Sequence, residues 1–219
     1  MWLIETKINV DSGMFDFFWQ SFVIFAVTVD PIGLVPFFLA VTLNHADTQR
    51  SQIAFKATLI AAGILMAFAV VGEQFLNILG IGLPALRIAG GLLLFLVAID
   101  MLLVRESGLR STVHAEMEEA SIQHNIAVFP LAIPLIAGPG AITSTILLMG
   151  RTGSDFTQQT LVIVALFFVL AFTLLLFIGA TKVQRFLGLT GINVVTRVMG
   201  IILASLACQF VIDGIKESW

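Results

Sequence analysis

Six apolar runs, at about 17–42, 53–71, 86–104, 126–148, 161–178 and 194–212, leave this chain little polar surface with which to face water. A helix crosses the hydrocarbon core of a bilayer with about 20 predominantly apolar residues, so each run is long enough for one crossing. Transmembrane β-strands would be about 10 residues long and alternate in polarity, and none of the runs alternates. Composition agrees: 58% of the 219 residues are hydrophobic and 11% charged, where a soluble domain has about 45–50% and about 25%. Nineteen phenylalanines among so few charges also exclude a disordered chain. The expected class is an all-α polytopic membrane protein with six transmembrane helices.

Several function classes drop out. The net charge of −3 argues against nucleic-acid binding. His45, His114 and His124 all lie outside the apolar cores, so an intramembrane serine–histidine pair is unavailable. No His-Glu-x-x-His zinc pattern and no phosphate-binding glycine loop with lysine occurs. An enzyme is therefore not expected, nor a metal or a cofactor beyond a coupling ion. The lone Cys208 lies inside an apolar run and reads as a small buried hydrophobe. Residues 1–13 carry Glu5, Lys7 and Asp11 without a basic leader, so the first run is expected to be retained.

The longest polar stretch, 105–125, holds Arg105, Glu106, Arg110, Glu116, Glu118 and Glu119. It divides the chain into 1–104 and 126–219, with three runs each. Lysine and arginine set orientation in the membrane. With the N-terminus outside, the inner face holds seven of them (Arg50, Lys56, Arg105, Arg110, Lys182, Arg185, Arg197) and the outer face four (Lys7, Arg87, Arg151, Lys216). That asymmetry favours both termini outside. Trp2, Trp19 and Trp219 would then anchor at the outer interface.

The halves match each other. Asp30-Pro31-Ile32-Gly33 aligns with Gly138-Pro139-Gly140-Ala141, and Leu79-Gly80 with Leu187-Gly188, both at an offset of 108. Arg87-Ile88-Ala89-Gly90 aligns with Arg197-Val198-Met199-Gly200 at 110. A repeat with an odd number of spans places its second copy upside down, so the expectation is two inverted three-helix repeats. That architecture is common among secondary transporters, whose substrate site lies near the midplane at the repeat interface.

The aligned prolines fall near mid-membrane and should break the first and fourth spans. Pro31 is expected to open a half-helix capped by Asp30, with Pro36 bending it further; Pro130 and Pro134 precede the second break. The two half-helix N-termini would meet, each offering free N–H groups and a positive dipole end to a carboxylate. The candidate substrate-binding residues are Asp30, Pro31, Gly33, Ala137, Gly138, Pro139, Gly140, Ala141, Ile142, Thr143 and Ser144. Backbone N–H groups of Gly138, Gly140, Ala141 and Ile142 would hold a carboxylate, and Thr143 or Ser144 would complete the pocket. Asp30 would face a substrate ammonium, a sodium ion or a proton, and is the candidate coupling residue. An intramembrane carboxylate costs about 2.5–3.5 kcal/mol on insertion scales, which makes function its default reading.

Four further polar residues, Arg87, Arg197, Asn193 and Asp100, are candidates for a gate or for a structural role. Arg87 and Arg197 are either gates on opposite faces or helix-end anchors, Arg87 pairing for instance with Glu73. Asn193 is a cap for the sixth span, and Asp100 a coupling residue or a pair for a cation such as Lys56.

Asp30-Pro-Ile-Gly-Leu-Val-Pro36, Arg87-Ile-Ala-Gly-Gly91, the run Pro130-Leu-Ala-Ile-Pro-Leu-Ile-Ala-Gly-Pro-Gly-Ala-Ile-Thr143 and Thr190-Gly-Ile-Asn-Val-Val-Thr-Arg-Val-Met-Gly200 resemble the MarC family. That family includes small neutral amino acid transporters of the SnatA type. The resemblance implies six spans in two inverted repeats, a bacterial-type inner-membrane location and transport of glycine, alanine, serine or threonine. Its partners would be that substrate and membrane lipid. Two alternatives remain: an exporter of another small solute or ion, and a non-transporting membrane factor acting through the 105–125 loop.

Overall fold

The computed structural model describes residues 10–103 and 126–218, and every regular element among them is a helix. Trp2, Trp219 and the polar 105–125 stretch with His114 and His124 lie outside the described residues. In chain order the elements are α1 (Val10–Val29), α2 (Leu34–Val41), α3 (Asp47–Ile78), α4 (Leu83–Leu103), α5 (Ala127–Ile136), α6 (Pro139–Thr152), α7 (Phe156–Ile178) and α8 (Ala180–Glu217). Four of them, α3, α4, α7 and α8, are each long and apolar enough to cross a membrane. The other four form two bent pairs: α1 and α2 meet at 44°, α5 and α6 at 56°. Counting each pair as one span gives up to six.

Local chemistry explains the boundaries. The Asp155 carboxylate accepts the N–H groups of Thr157 (2.9 Å) and Gln158 (3.3 Å), a cap that starts α7. Asp47 places a negative charge in the first turn of α3, where the dipole favours it. The 32 residues of α3 span about 48 Å, well beyond the apolar run at 53–71, so its ends project past the hydrocarbon core.

Two helix boundaries lie where the sequence repeat has Leu-Gly. Gly80, between α3 and α4, has φ +70°, and Gly188, inside α8, has φ +64°. This left-handed conformation costs an L-residue about 1–2 kcal/mol and glycine almost nothing. Gly188 divides α8 into 180–187 and 189–217. Asn193, the expected cap of the sixth span, is therefore inside the helix and exposed; the turn at Gly188 starts that segment earlier.

The core has two parts. Phe25, Phe38, Leu65, Leu131, Leu166 and Phe177 belong to one that joins α1, α2, α3, α5, α6 and α7. A second joins α4 to α8 through Leu94, Ala98, Met101, Leu203, Ala207 and Phe210, and takes in Val27 of α1 and Leu147 of α6. The α4 and α8 backbones run antiparallel and approach closely: a Cβ on Gly91 would lie 2.8 Å from the Ala207 carbonyl, and one on Gly214 2.8 Å from that of Pro84. Small residues at such crossings allow the van der Waals packing that holds membrane helices together. Large apolar side chains such as Phe75, Leu96, Phe168, Leu175 and Ile201 point outward, as lipid-facing side chains do. Cys208 is among the exposed residues, not buried as the apolar run suggested; a run that is apolar all round does not say which of its residues face protein.

Candidate functional site

At the first break, α1 ends at Val29 and Asp30 turns left-handed, with φ +49°. Aspartate is one of the few non-glycine residues that tolerates this conformation, through local hydrogen bonds of its short side chain. Here the Asp30 Oδ1 accepts the Gly33 N–H at 3.2 Å, and the Asp30 carbonyl accepts the Leu34 N–H at 3.1 Å. Asp30 is 4% exposed. Regular helix resumes at Leu34, not at Pro31 as expected, because the left-handed residue needs the turn 31–33 to redirect the chain. Pro36 falls in the first turn of α2, where a missing N–H is harmless, and adds no further bend.

The second break is built differently. Phe129 and Ile133, each preceding a proline, are extended (φ −128°, ψ 127° and φ −125°, ψ 129°) inside α5, as the clash with the proline ring requires. The peptide bonds to Pro130 and Pro134 are cis. Wide winding follows, with Ala137 N–H bonding the Ala132 carbonyl at 2.8 Å. Gly138 is then extended at the N-cap of α6, and Pro139 takes the first helical position as expected. A Cβ on Gly138 would stand 2.5 Å from the Pro134 carbonyl, so no other residue fits there unchanged. No side chain caps α6, leaving the N–H groups of Gly140 and Ala141 without intrahelical partners. The Ile142 N–H, expected to be free, donates to the Gly138 carbonyl at 3.0 Å because it closes the first helical turn.

Both breaks open onto one cavity of about 160 Å³. Thr28, Val29, Asp30 and Leu34 line it from the first break, Pro134, Leu135, Gly138, Pro139 and Gly140 from the second, and Leu93, Leu94, Val97, Asp100 and Met101 from α4. It therefore lies where α4 meets the two broken pairs. Of the expected set, Asp30, Gly138, Pro139 and Gly140 line this space, while Pro31 and Gly33 form the turn behind Asp30. Ala137, Ala141, Ile142, Thr143 and Ser144 do not line it. A Cβ on Gly90 would collide with the Thr143 side chain, so Thr143 packs against α4. The Ser144 Oγ is fully buried without a hydrogen-bond partner among the described residues.

Asp100, read from the sequence as a coupling residue or the pair of a cation, also lines this space. It shares the cavity with Asp30 because α4 crosses the breaks at this level. Its carboxylate inside an apolar run was the available signal.

Arg87 is 5% exposed and pairs with Glu217 at the far end of α8. Glu73, the partner suggested by proximity in sequence, is exposed on α3; the antiparallel α4–α8 packing brings in a residue 130 positions away instead. Arg151 lies 3.7 Å from Asp213, which also accepts the Gln209 side-chain N–H at 2.7 Å. These pairs tie the ends of α4, α6 and α8 together. Arg197, the repeat counterpart of Arg87, is exposed. Among the described residues no group of histidine, cysteine and carboxylate side chains could hold a metal ion.

The sequence pattern of the MarC family of integral membrane proteins matches residues 15–219. A UPF0056 membrane protein of Archaeoglobus fulgidus is 38% identical over 207 residues, covering 94% of this chain and 95% of that protein. The UPF0056 membrane protein YvbG of Bacillus subtilis is 36% identical over 203 residues (93% and 96%), and one from Buchnera aphidicola is 39% identical over 210 (94% and 95%). No solved structure matches the chain.

Proposed function

The chain belongs to the MarC family of integral membrane proteins, and from that premise we propose that it is a secondary transporter of small neutral amino acids in a bacterial-type inner membrane. The observation that carries this reading is the shared cavity, which Asp30 and the uncapped start of α6 both line. A zwitterion needs both: an anion for its ammonium, and N–H groups at a positive helix end for its carboxylate. The volume of about 160 Å³ is small beside the roughly 300–1,000 Å³ of drug-sized ligand sites, which suits glycine, alanine, serine or threonine.

The six spans form two inverted repeats in this reading, with both termini outside. Three features support it: the breaks lie at repeat-equivalent positions, Gly80 and Gly188 share a left-handed turn, and the repeat-equivalent α4 and α8 run antiparallel. The α4–α8 pair then moves against the other helices to expose the cavity on alternate sides. Asp30 and Asp100 together hold the coupling proton or sodium ion.

Uptake of labelled glycine into proteoliposomes, with and without imposed proton and sodium gradients, tests the proposal. Gradient-driven accumulation is expected, falling to background in Asp30→Asn. Asparagine tolerates the left-handed backbone and keeps an acceptor for the Gly33 N–H, so this variant removes charge rather than fold. Accumulation undiminished in Asp30→Asn would refute the role of Asp30. Absence of uptake by folded protein would turn attention to another solute through a competition panel.

A further inference from the structure

A second cavity, of about 410 Å³, lies between the start of α3, α2 and the junction of α7 with α8. Three cations line it: Arg50, Lys182 and Arg185. The sequence scatters them over 136 positions, and the fold gathers them around one space. Among the described residues the one carboxylate that lines it, Asp47, pairs with Arg50 at 3.5 Å, so this lining keeps an excess of two positive charges. Arg50 is already fixed, its Nε donating to the Thr42 carbonyl at 3.0 Å and one Nη to that of Leu43 at 3.2 Å. The hydroxyls of Ser51 and Thr181 add hydrogen-bonding capacity, and the floor is the buried Phe38 ring stacked on Phe177 at 4.4 Å.

The surroundings identify the level of this cavity in the bilayer. Phe186 is 90% exposed, one residue from Arg185, and Leu43 and Ile178 are exposed beside the opening. Apolar side chains that project next to lysine and arginine mark the boundary between acyl chains and headgroups. The residues 180–187 thus form a short basic segment, set off by Gly188, with Phe186 for the acyl region and Lys182 and Arg185 for the headgroups.

We propose that the cavity bounded by Arg50, Lys182 and Arg185 binds a phosphate group, supplied by the headgroup of an anionic phospholipid. Basic pockets between membrane helices bind such headgroups through charge and through hydrogen bonds to phosphate oxygens. The bound phosphate bridges α3 to α8 beside α2, the half-helix that leads away from Asp30. This site is independent of the transport reading and stands or falls separately from it.

Thermal unfolding of the purified full-length protein in detergent, titrated with phosphatidylglycerol, phosphatidylcholine or inorganic phosphate, tests it. Phosphatidylglycerol should raise the midpoint at lower concentration than phosphatidylcholine. In the double variant Lys182→Gln, Arg185→Gln the required concentration should rise about 25-fold, about fivefold for each surface charge removed. Both side chains are exposed, so the variant should fold; Lys56→Gln, an exposed cation of α3 outside the cavity, should titrate like the unmodified protein. A shift produced by inorganic phosphate and lost in the double variant would keep the phosphate site and make solution its source. Equal responses of the double variant and the unmodified protein, or equal weakening by Lys56→Gln, would overturn the proposal.

Discussion

The two helix breaks occupy equivalent positions of the sequence repeat and solve the same problem with opposite chemistry. At the first, a charged side chain does the work: Asp30 bends the chain through a left-handed residue and satisfies the Gly33 N–H with its own carboxylate. At the second, no side chain supplies a cap. Gly138 is extended, Pro139 opens α6, and the helix start stays uncapped. One break therefore sets an acidic residue at the cavity wall and the other an uncapped helix start. A pair of identical breaks would have offered two anions or two donor sets; the divergence of the copies gives one cavity both characters.

The sharpest way to break this comparison is to add a methyl group at the uncapped side. Gly138→Ala sets its Cβ against the Pro134 carbonyl, which is backbone and cannot rotate away. The expected cost is about 1–3 kcal/mol of stability, with glycine uptake falling to background; uptake at the unmodified level would show that the start of α6 is not part of the site. At the charged side the same change should be milder. A Cβ on Gly33 meets the Asp30 carboxylate, a side chain that can turn away by giving up its bond to the Gly33 N–H, so Gly33→Ala should cost less stability than Gly138→Ala and weaken glycine transport by displacing Asp30. A thermal midpoint lowered as much as by Gly138→Ala would contradict this difference. The smallest effect concerns the part of the repeat that did not diverge. Gly80→Ala and Gly188→Ala place alanine at φ +70° and +64°, with open space around each, and each should cost about 1 kcal/mol. A large inequality between the two unfolding measurements would argue that only one turn is structurally needed.

Much of this was legible in local sequence. The apolar runs locate the spans, and Pro139 with its flanking glycines locates the start of α6, because helix length in a bilayer and proline geometry are local constraints. Asp30 was recognisable as a buried carboxylate beside a break. The register of the first half-helix was not: a proline can open a helix at once, and only the left-handed Asp30 delays it to Leu34. Thr143 and Ser144 lie one turn beyond the break, yet that turn faces packed neighbours and not the cavity.

Residue types and their order, then, determined that the chain is a bundle of apolar helices, where two of its spans break and which of its turns demand glycine. These outcomes depend on interactions within a few residues or between the chain and its solvent. The meeting of Asp100 with Asp30, the choice of Glu217 over Glu73 as partner of Arg87, and the gathering of Arg50, Lys182 and Arg185 around one cavity were decided by tertiary structure alone. Each joins residues on different helices, and an apolar helix carries little in its sequence to say which of its faces will meet protein and which will meet lipid; only close packing between specific backbones, as along α4 and α8, selects the neighbours.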